Sequence, residues 1–380
     1  MSSIAAMPDT VDFRRRRLVL GAPLLLSACW IDDSSNNPSP TRLRATVQSV
    51  LDRYNAPGAV AGVWRRDVPP WKAALGVANV ATGRSMTLDD FFSIRSITKS
   101  YVVTALLLLA RDGALSLDDP IATYVPGIPN GDRITLTQLA AMESGVKSYT
   151  GILAFVEEFL DHPERVWTDA EIVGYAIPAS PVFDPGAQYD YSNTNTILIG
   201  MVIEKVAKAP LADVLRTRIF EPLGLRSTSY PSAIDLPSPH PLPYAANRSA
   251  GPPTLFPFWD PSGFGAAGAM VSTLDDLGVW GEALGTGRLL TPALQSLRVS
   301  HSRPATDGPV YDHYGLGIGE IHGYWGHTGE ALGFQSAVMH HPERGITIAV
   351  LVNATPAISE GRSDNIAEDI FEELADAVGQ

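Results

Sequence analysis

Ser96-Ile97-Thr98-Lys99, running on through Ser100 into Tyr101-Val102-Val103-Thr104-Ala105-Leu106-Leu107-Leu108-Leu109-Ala110, is the stretch on which the reading of this chain turns. From Tyr101 to Ala110 the residues are apolar nearly all round, so the pattern predicts a buried helix that stops at Gly113. Ser96 and Lys99 stand three residues apart at its start and therefore on one face. The lysine amine then reaches the serine hydroxyl. A neutral amine held there can take the hydroxyl proton and turn the oxygen into a nucleophile, a variant of triad logic. The helix N-terminus adds a positive dipole end facing an oxyanion. The same spelling recurs at Ser144-Gly145-Val146-Lys147. Glycine falls inside it and the loop-like Tyr149-Thr150-Gly151 follows, so this second match is set aside.

Outward from that helix, both ends of the chain carry strands. Leu43, Val47, Val50, Leu51 and Tyr54 repeat at helical spacing, and Pro57-Gly58 closes that helix. Ala59 to Trp64 and Trp71 to Val77 read as strands around a polar turn with Pro69-Pro70. Between Gly113 and Gly265 the pattern is helical segments and Pro-rich loops, clearest at Ile197–Lys208 and Leu211–Phe220. Strands then return. Phe334–His340 alternates, Pro342-Glu343-Arg344-Gly345 turns, and Ile346–Val352 is a continuous β-branched run read as a buried strand. Ile366, Ile370, Phe371 and Leu374 share one face of a last helix. The layout predicts an α+β/α fold: an antiparallel sheet flanked by N- and C-terminal helices, plus an inserted all-helical domain. The boundaries are 42–112 and 266–380 for the sheet domain and 113–265 for the helical one, with the nucleophile at their junction, where clefts form.

Composition bounds the function. The 380 residues are 45% hydrophobic and 18% charged, with a formal net charge of −13. Such an acidic chain carries no electrostatic footprint for nucleic acid. Gly263-Phe264-Gly265-Ala266-Ala267-Gly268 spells G-x-G-x-x-G but follows no strand, and reads as a glycine-rich loop. At the start, Arg14–Arg17 and the short apolar run Leu18–Ala28 read as an export signal over 1–28. Leu26-Ser27-Ala28-Cys29 resembles a bacterial lipobox, with Cys29, the one cysteine, as the lipidated residue. Paired arginines before Leu18-Val19-Leu20 also resemble a twin-arginine signal. Residues 29–41, rich in Asp, Ser, Asn and Pro, read as a lipidated tether. The expectation is an exported, periplasmic lipoprotein that touches the membrane only through its N-terminus.

Two further strings complete a constellation. Tyr191-Ser192-Asn193 is the one Y-x-N and precedes a helix. A tyrosine near Ser96 can shuttle protons if a neighbouring cation such as Lys99 favours its phenolate. Asn193 can hydrogen-bond a substrate carbonyl and Lys99. Gly326-His327-Thr328-Gly329 lies before the Phe334 strand. There His327 supplies a positive charge, Thr328 a hydroxyl, and the Glu330 N–H a second oxyanion donor beside that of Ser96.

S-x-x-K on a buried helix, Y-x-N downstream and H-T-G on a late strand together resemble the class C β-lactamase and serine D-alanyl-D-alanine carboxypeptidase superfamily. The resemblance runs through Phe92–Ser100, Tyr191–Asn195, Ile219–Leu225 and Tyr314-Gly315-Leu316-Gly317. Ser363-Asp364-Asn365 spells S-D-N but follows the H-T-G, out of order. The resemblance implies Ser96 as the acylated nucleophile, Lys99 as its partner and Tyr191 as proton shuttle. It implies Asn193, Thr328 and Gly329 as substrate-binding and the Ser96 and Glu330 amides as the oxyanion hole. No metal or organic cofactor is implied, and the partner is a small-molecule or peptide substrate. The reading is a DD-carboxypeptidase-like or β-lactamase-like hydrolase of amide bonds. Its alternatives are an esterase or D-amino-acid amidase on the same fold, or a non-catalytic penicillin-binding sensor module. Gly315–His322 holds no arginine for a terminal carboxylate, and Glu330 repels one but can hold an ammonium, which gives weight to esterase or D-amidase chemistry.

Overall fold

Alternation along the strands organises the molecule, because neighbouring residues on a strand face opposite ways. The computed structural model describes residues 38–179, 181–232, 236–246, 251–305, 311–356 and 365–379. The signal, Cys29, Ser363 and Asp364 lie outside them, as does the tether up to residue 37. Residues 37–380 form one compact unit. Its centre is a nine-stranded antiparallel sheet, numbered here in chain order. The strands are β1 (Gly58–Arg65), β2 (Val68–Asn79), β3 (Arg84–Ser85), β4 (Arg303–Pro304), β5 (His313–Tyr314), β6 (Gly319–Ile321), β7 (Tyr324–Ala331), β8 (Phe334–His341) and β9 (Ile346–Val352). The spatial order is β3-β2-β1-β9-β8-β7-β6-β5-β4, so strands from the two ends of the chain meet at β1 and β9.

The two faces carry two cores. Ala59, Ala61, Val63, Ala337, Met339, Val350 and Val352 pack with the helices Pro40–Tyr54 and Ile366–Gly379. Val60, Val338, Ala349 and Leu351, one residue out of step, pack with Leu274–Thr286 and with the Ser96 helix Ile97–Arg111. β9 is therefore buried on both faces, as a continuous apolar run requires. Leu43, Val47, Val50, Leu51 and Tyr54 are the buried face of the first helix, as their spacing predicts.

Three local expectations change. The first helix starts at Pro40 with Ser39 as its cap, inside the segment read as tether, and ends at left-handed Asn55, before Pro57-Gly58. Pro69-Pro70 lie in β2, not in the turn, which is Arg66-Asp67. β3 pairs only with Val77 and Asn79, so the prolines meet no ladder partner on that side and their missing N–H costs nothing. The helical segment also carries two short strands, Tyr244–Ala246 and Thr254–Leu255, the first pairing in parallel with Ala354–Pro356.

Candidate active site

Ser96 precedes the first turn of its helix with backbone in the right-handed region, and its hydroxyl makes no capping bond. The hydroxyl is thereby left to Lys99, whose Nζ donates to Ser96 Oγ at 2.9 Å and to the Ala267 carbonyl at 2.7 Å. Lys99 is fully buried, and no carboxylate pairs with it among the described residues. Burial pulls its amine well below the ordinary lysine value. The helix beneath is fixed from several sides. Trp280 stacks on Tyr101 at 3.8 Å and donates from Nε1 to Ser100 Oγ at 3.0 Å, and the Met270 N–H donates to Thr98 Oγ1.

Tyr191 stands beside this pair. Lys99 Nζ lies 5.0 Å from its ring centroid, and its hydroxyl is buried next to Ser96. Burial raises the phenol well above its ordinary value, with the Ser96 hydroxyl pulling weakly the other way. The phenolate favoured by a neighbouring cation, expected above, is thus not the resting form. Burial disfavours charge on the amine and on the phenol alike.

Asn193 opens the helix Asn193–Ala207, with Ser192 in the cap position. The Asn193 Nδ2 donates to Thr150 Oγ1 at 2.9 Å and the backbone N–H to Ser148 Oγ. The expected bond to Lys99 is replaced by these, because Lys99 is already satisfied by Ser96 and Ala267. The rejected Ser144–Lys147 match is a turn in which Ser144 Oγ donates to Asn195 Oδ1 at 2.6 Å and Gly145 takes a positive φ.

β7 brings His327, Thr328, Gly329 and Glu330 to the same cleft. A Cβ on Gly329 would stand 2.3 Å from the Ile94 carbonyl and 3.0 Å from the Ser96 amide nitrogen, so only glycine lets the strand lie this close. Glu330 is exposed at the rim. The expectation that His327 carries charge fails. The ring is fully buried, and burial is the main cause that lowers it to about 3. The neutral ring donates from Nδ1 to the Thr328 carbonyl at 2.6 Å and accepts at Nε2 from the Tyr314 hydroxyl at 3.1 Å. Tyr311 completes the cluster, accepting from the Thr328 amide at 2.8 Å.

Several neighbours escaped the sequence reading. Ala267, which holds Lys99, sits inside the glycine-rich string set aside as a loop. Tyr311 orders Thr328 from a segment with no motif. Glu368, on the last helix, is buried against Thr328 and raised to about 8 by burial. None of these carried a local signal, since each acts through a contact distant in sequence.

The chain matches the Beta-lactamase family over residues 43–372 and belongs to it. It is similar to the D-amino acid amidase of Ochrobactrum anthropi SV3, with TM-score 0.78 and 26% identity over 89% of this chain and 98% of that one. A D-stereospecific amidohydrolase from Streptomyces sp. superposes with TM-score 0.74 and 31% identity, over 88% and 99%. Esterase EstB of Burkholderia gladioli is 29% identical over 203 residues, 50% of this chain and 52% of that protein. The chain spans 61% or less of the length of the penicillin-binding relatives it matches in Bacillus subtilis (strain 168). This chain is a serine hydrolase of the β-lactamase and penicillin-binding superfamily.

Proposed function

We propose that this enzyme hydrolyses the amides of D-configured amino acids or short peptides through an acyl-enzyme on Ser96. The observation that carries the reading is Lys99 Nζ, buried and without a carboxylate, 2.9 Å from Ser96 Oγ. Burial lowers this amine well below the ordinary lysine value, which favours the free form that a general base needs. Ser96 Oγ attacks the carbonyl while its proton passes to Lys99. The oxyanion forms against the Ser96 and Glu330 amides. The C–N bond breaks as the Tyr191 hydroxyl protonates the leaving nitrogen, and Lys99 returns a proton to the phenolate. Water then repeats the sequence on the ester and releases the acid. Tyr191 fits the donor role because burial keeps it protonated. Asn193 and Thr328 orient the substrate, while neutral His327 fixes the Thr328 backbone.

The D-amidase class is favoured over carboxypeptidase or β-lactamase by two features. Glu330 at the rim attracts an ammonium and repels a carboxylate, and the two solved relatives described above are a D-amino acid amidase and a D-stereospecific amidohydrolase. Ester hydrolysis follows from the same acyl chemistry. The test is a panel of D-phenylalanine amide, D-Ala-terminated peptide, nitrocefin and a short acyl ester, run on wild type and Ser96→Ala. D-amide turnover that Ser96→Ala abolishes is expected. Turnover surviving in Ser96→Ala, or nitrocefin as the best substrate, overturns the reading. As an exported lipoprotein, expected from residues 1–29, the enzyme would meet such substrates outside the cytoplasm; globomycin-sensitive processing tests that address.

A further inference from the structure

Tyr191 is held from two sides, and only one of them is local to the helix that follows it. Downstream, Asn193 bonds to Ser148 and Thr150, and Thr194 Oγ1 donates to the Lys147 carbonyl. Upstream, the Asp190 N–H donates to the Met142 carbonyl at 2.9 Å and the Gly186 N–H to the Glu143 carbonyl at 2.8 Å. The segment that leads into Tyr191 therefore rests on Met142-Glu143. That base is strained: Met142 has a φ of +59°, which a side chain keeps only where its surroundings hold it.

What holds it comes from the far edge of the sheet. Arg303 stands in β4, the outermost strand, and its side chain reaches the inserted helical segment. Nε lies 2.8 Å from Glu143 Oε1, Nη2 donates to the Gly186 carbonyl at 2.8 Å, and Nη1 to the Ala187 carbonyl at 3.3 Å. All three nitrogens of the fork act on the backbone strip before Tyr191 or on its base, which an ammonium cannot copy. Glu143 is only 2% exposed. Its other charge partner among the described residues is His301, with Nε2 at 3.5 Å from Oε2. A buried carboxylate held by a charge-assisted bond is costly to strip of its partner, so the contact is a firm anchor. A second link runs beside it. Arg303 is in register with Tyr314 of β5, and the Tyr314 ring meets the rings of Tyr189 at 5.7 Å and Tyr191 at 6.0 Å.

We propose that Arg303 is a positioning residue for the reaction: by clamping Glu143, Gly186 and Ala187 to the sheet edge it fixes where the Tyr191 phenol meets the leaving atom. This rests on Tyr191 as the proton donor and deepens that reading. The clamp then matters most where the bond to a poor leaving group breaks as the Tyr191 proton reaches the leaving atom. A p-nitrophenolate leaves without that proton, so its release depends on the clamp far less.

The test measures kcat/KM for ethyl and p-nitrophenyl butyrate, which share one acyl group. The proteins are wild type, Tyr191→Phe, Arg303→Lys, and Arg303→Met combined with Glu143→Gln so that no buried charge is left unpaired. The double variant should lower the ethyl-to-p-nitrophenyl ratio by at least about tenfold, within the range for a slightly misplaced catalytic group. Tyr191→Phe should lower it at least as far, and Arg303→Lys, which keeps the charge without the fork, should fall between wild type and the double variant. Arg303→Lys carries the test if the double variant does not fold. An equal loss on both esters, or an unchanged ratio where Tyr191→Phe lowers it, overturns the clamp while leaving Tyr191 as donor. If wild type cleaves neither ester, or Tyr191→Phe leaves the ratio unchanged, the donor reading falls instead. The clamp is then decided by fluorine NMR of 3-fluorotyrosine placed at position 191. A resonance that shifts or broadens in the Arg303 variants supports it, and an unchanged resonance overturns it.

Discussion

Lys99 is taken out of water with two oxygens to donate to and no carboxylate beside it, so burial shifts it towards its free form. Tyr191 is buried, and burial favours its protonated form. Burial thus biases the two groups towards opposite proton transfers, the amine as acceptor and the phenol as donor. Ester kcat/KM should therefore rise from the acid side and reach its plateau by neutral pH. A limb that climbs only towards the ordinary lysine value would contradict a depressed Lys99. Lys99→Arg keeps a cation that cannot accept a proton and should lower kcat/KM by at least about 10³-fold. A loss below tenfold would assign the base elsewhere. Glu368 gives a second pH signature. Its carboxyl rises from 4.5 to about 8, chiefly through burial, with Glu330 on β7 and Glu372 and Asp369 on its own helix raising it further and Thr328 opposing. The folded state then holds a proton that the unfolded chain releases. Stability is full below pH 4.5 and falls as pH rises to about 8, by roughly 3–5 kcal/mol if the whole shift acts. Glu368→Gln should flatten that slope in urea titrations across the same range; an unchanged slope would mean the carboxyl is ionised in the fold.

At the scale of elements, the site depends on how closely β7 approaches the start of the Ser96 helix. Ser336 Oγ donates to the Ile94 carbonyl at 2.9 Å, and Gly329 leaves no room for a methyl group against that same carbonyl. Gly329→Ala should push the strand away from the Ser96 amide and cut kcat by about 10²-fold, the scale of losing one oxyanion donor. Circular dichroism should remain native, and an active Gly329→Ala would show that the strand can yield. The elements themselves were largely written in the sequence. The helical spacing from Leu43 to Tyr54 and the β-branched run Ile346–Val352 need only local periodicity to read. His327 was not legible in the same way. A histidine beside a glycine on an edge-like strand reads as exposed or charged, yet Tyr311 and Tyr314, from a loop and a short strand, wall it in and make it neutral.

Across the whole molecule, the two ends of the chain close one face of the sheet together. Tyr54 donates to Asp369 Oδ2 at 2.6 Å and Arg53 pairs with the same carboxylate, joining the first helix to the last. Leu374 is fully buried beneath them. Leu374→Ala should cost about 2–5 kcal/mol in denaturant unfolding, the usual range for a buried cavity. A cost under 1 kcal/mol would mean that the last helix is not part of the cooperative unit. By itself the sequence determined the secondary elements, the sheet built from both chain ends, and the Ser96–Lys99 pair, because each follows from spacing along one segment. Only the tertiary structure decided the protonation of Lys99, Tyr191 and His327, the Ala267 contact and the pairing of Arg303 with Glu143. Those depend on which groups are removed from water together, and burial is a property of the packed chain as a whole.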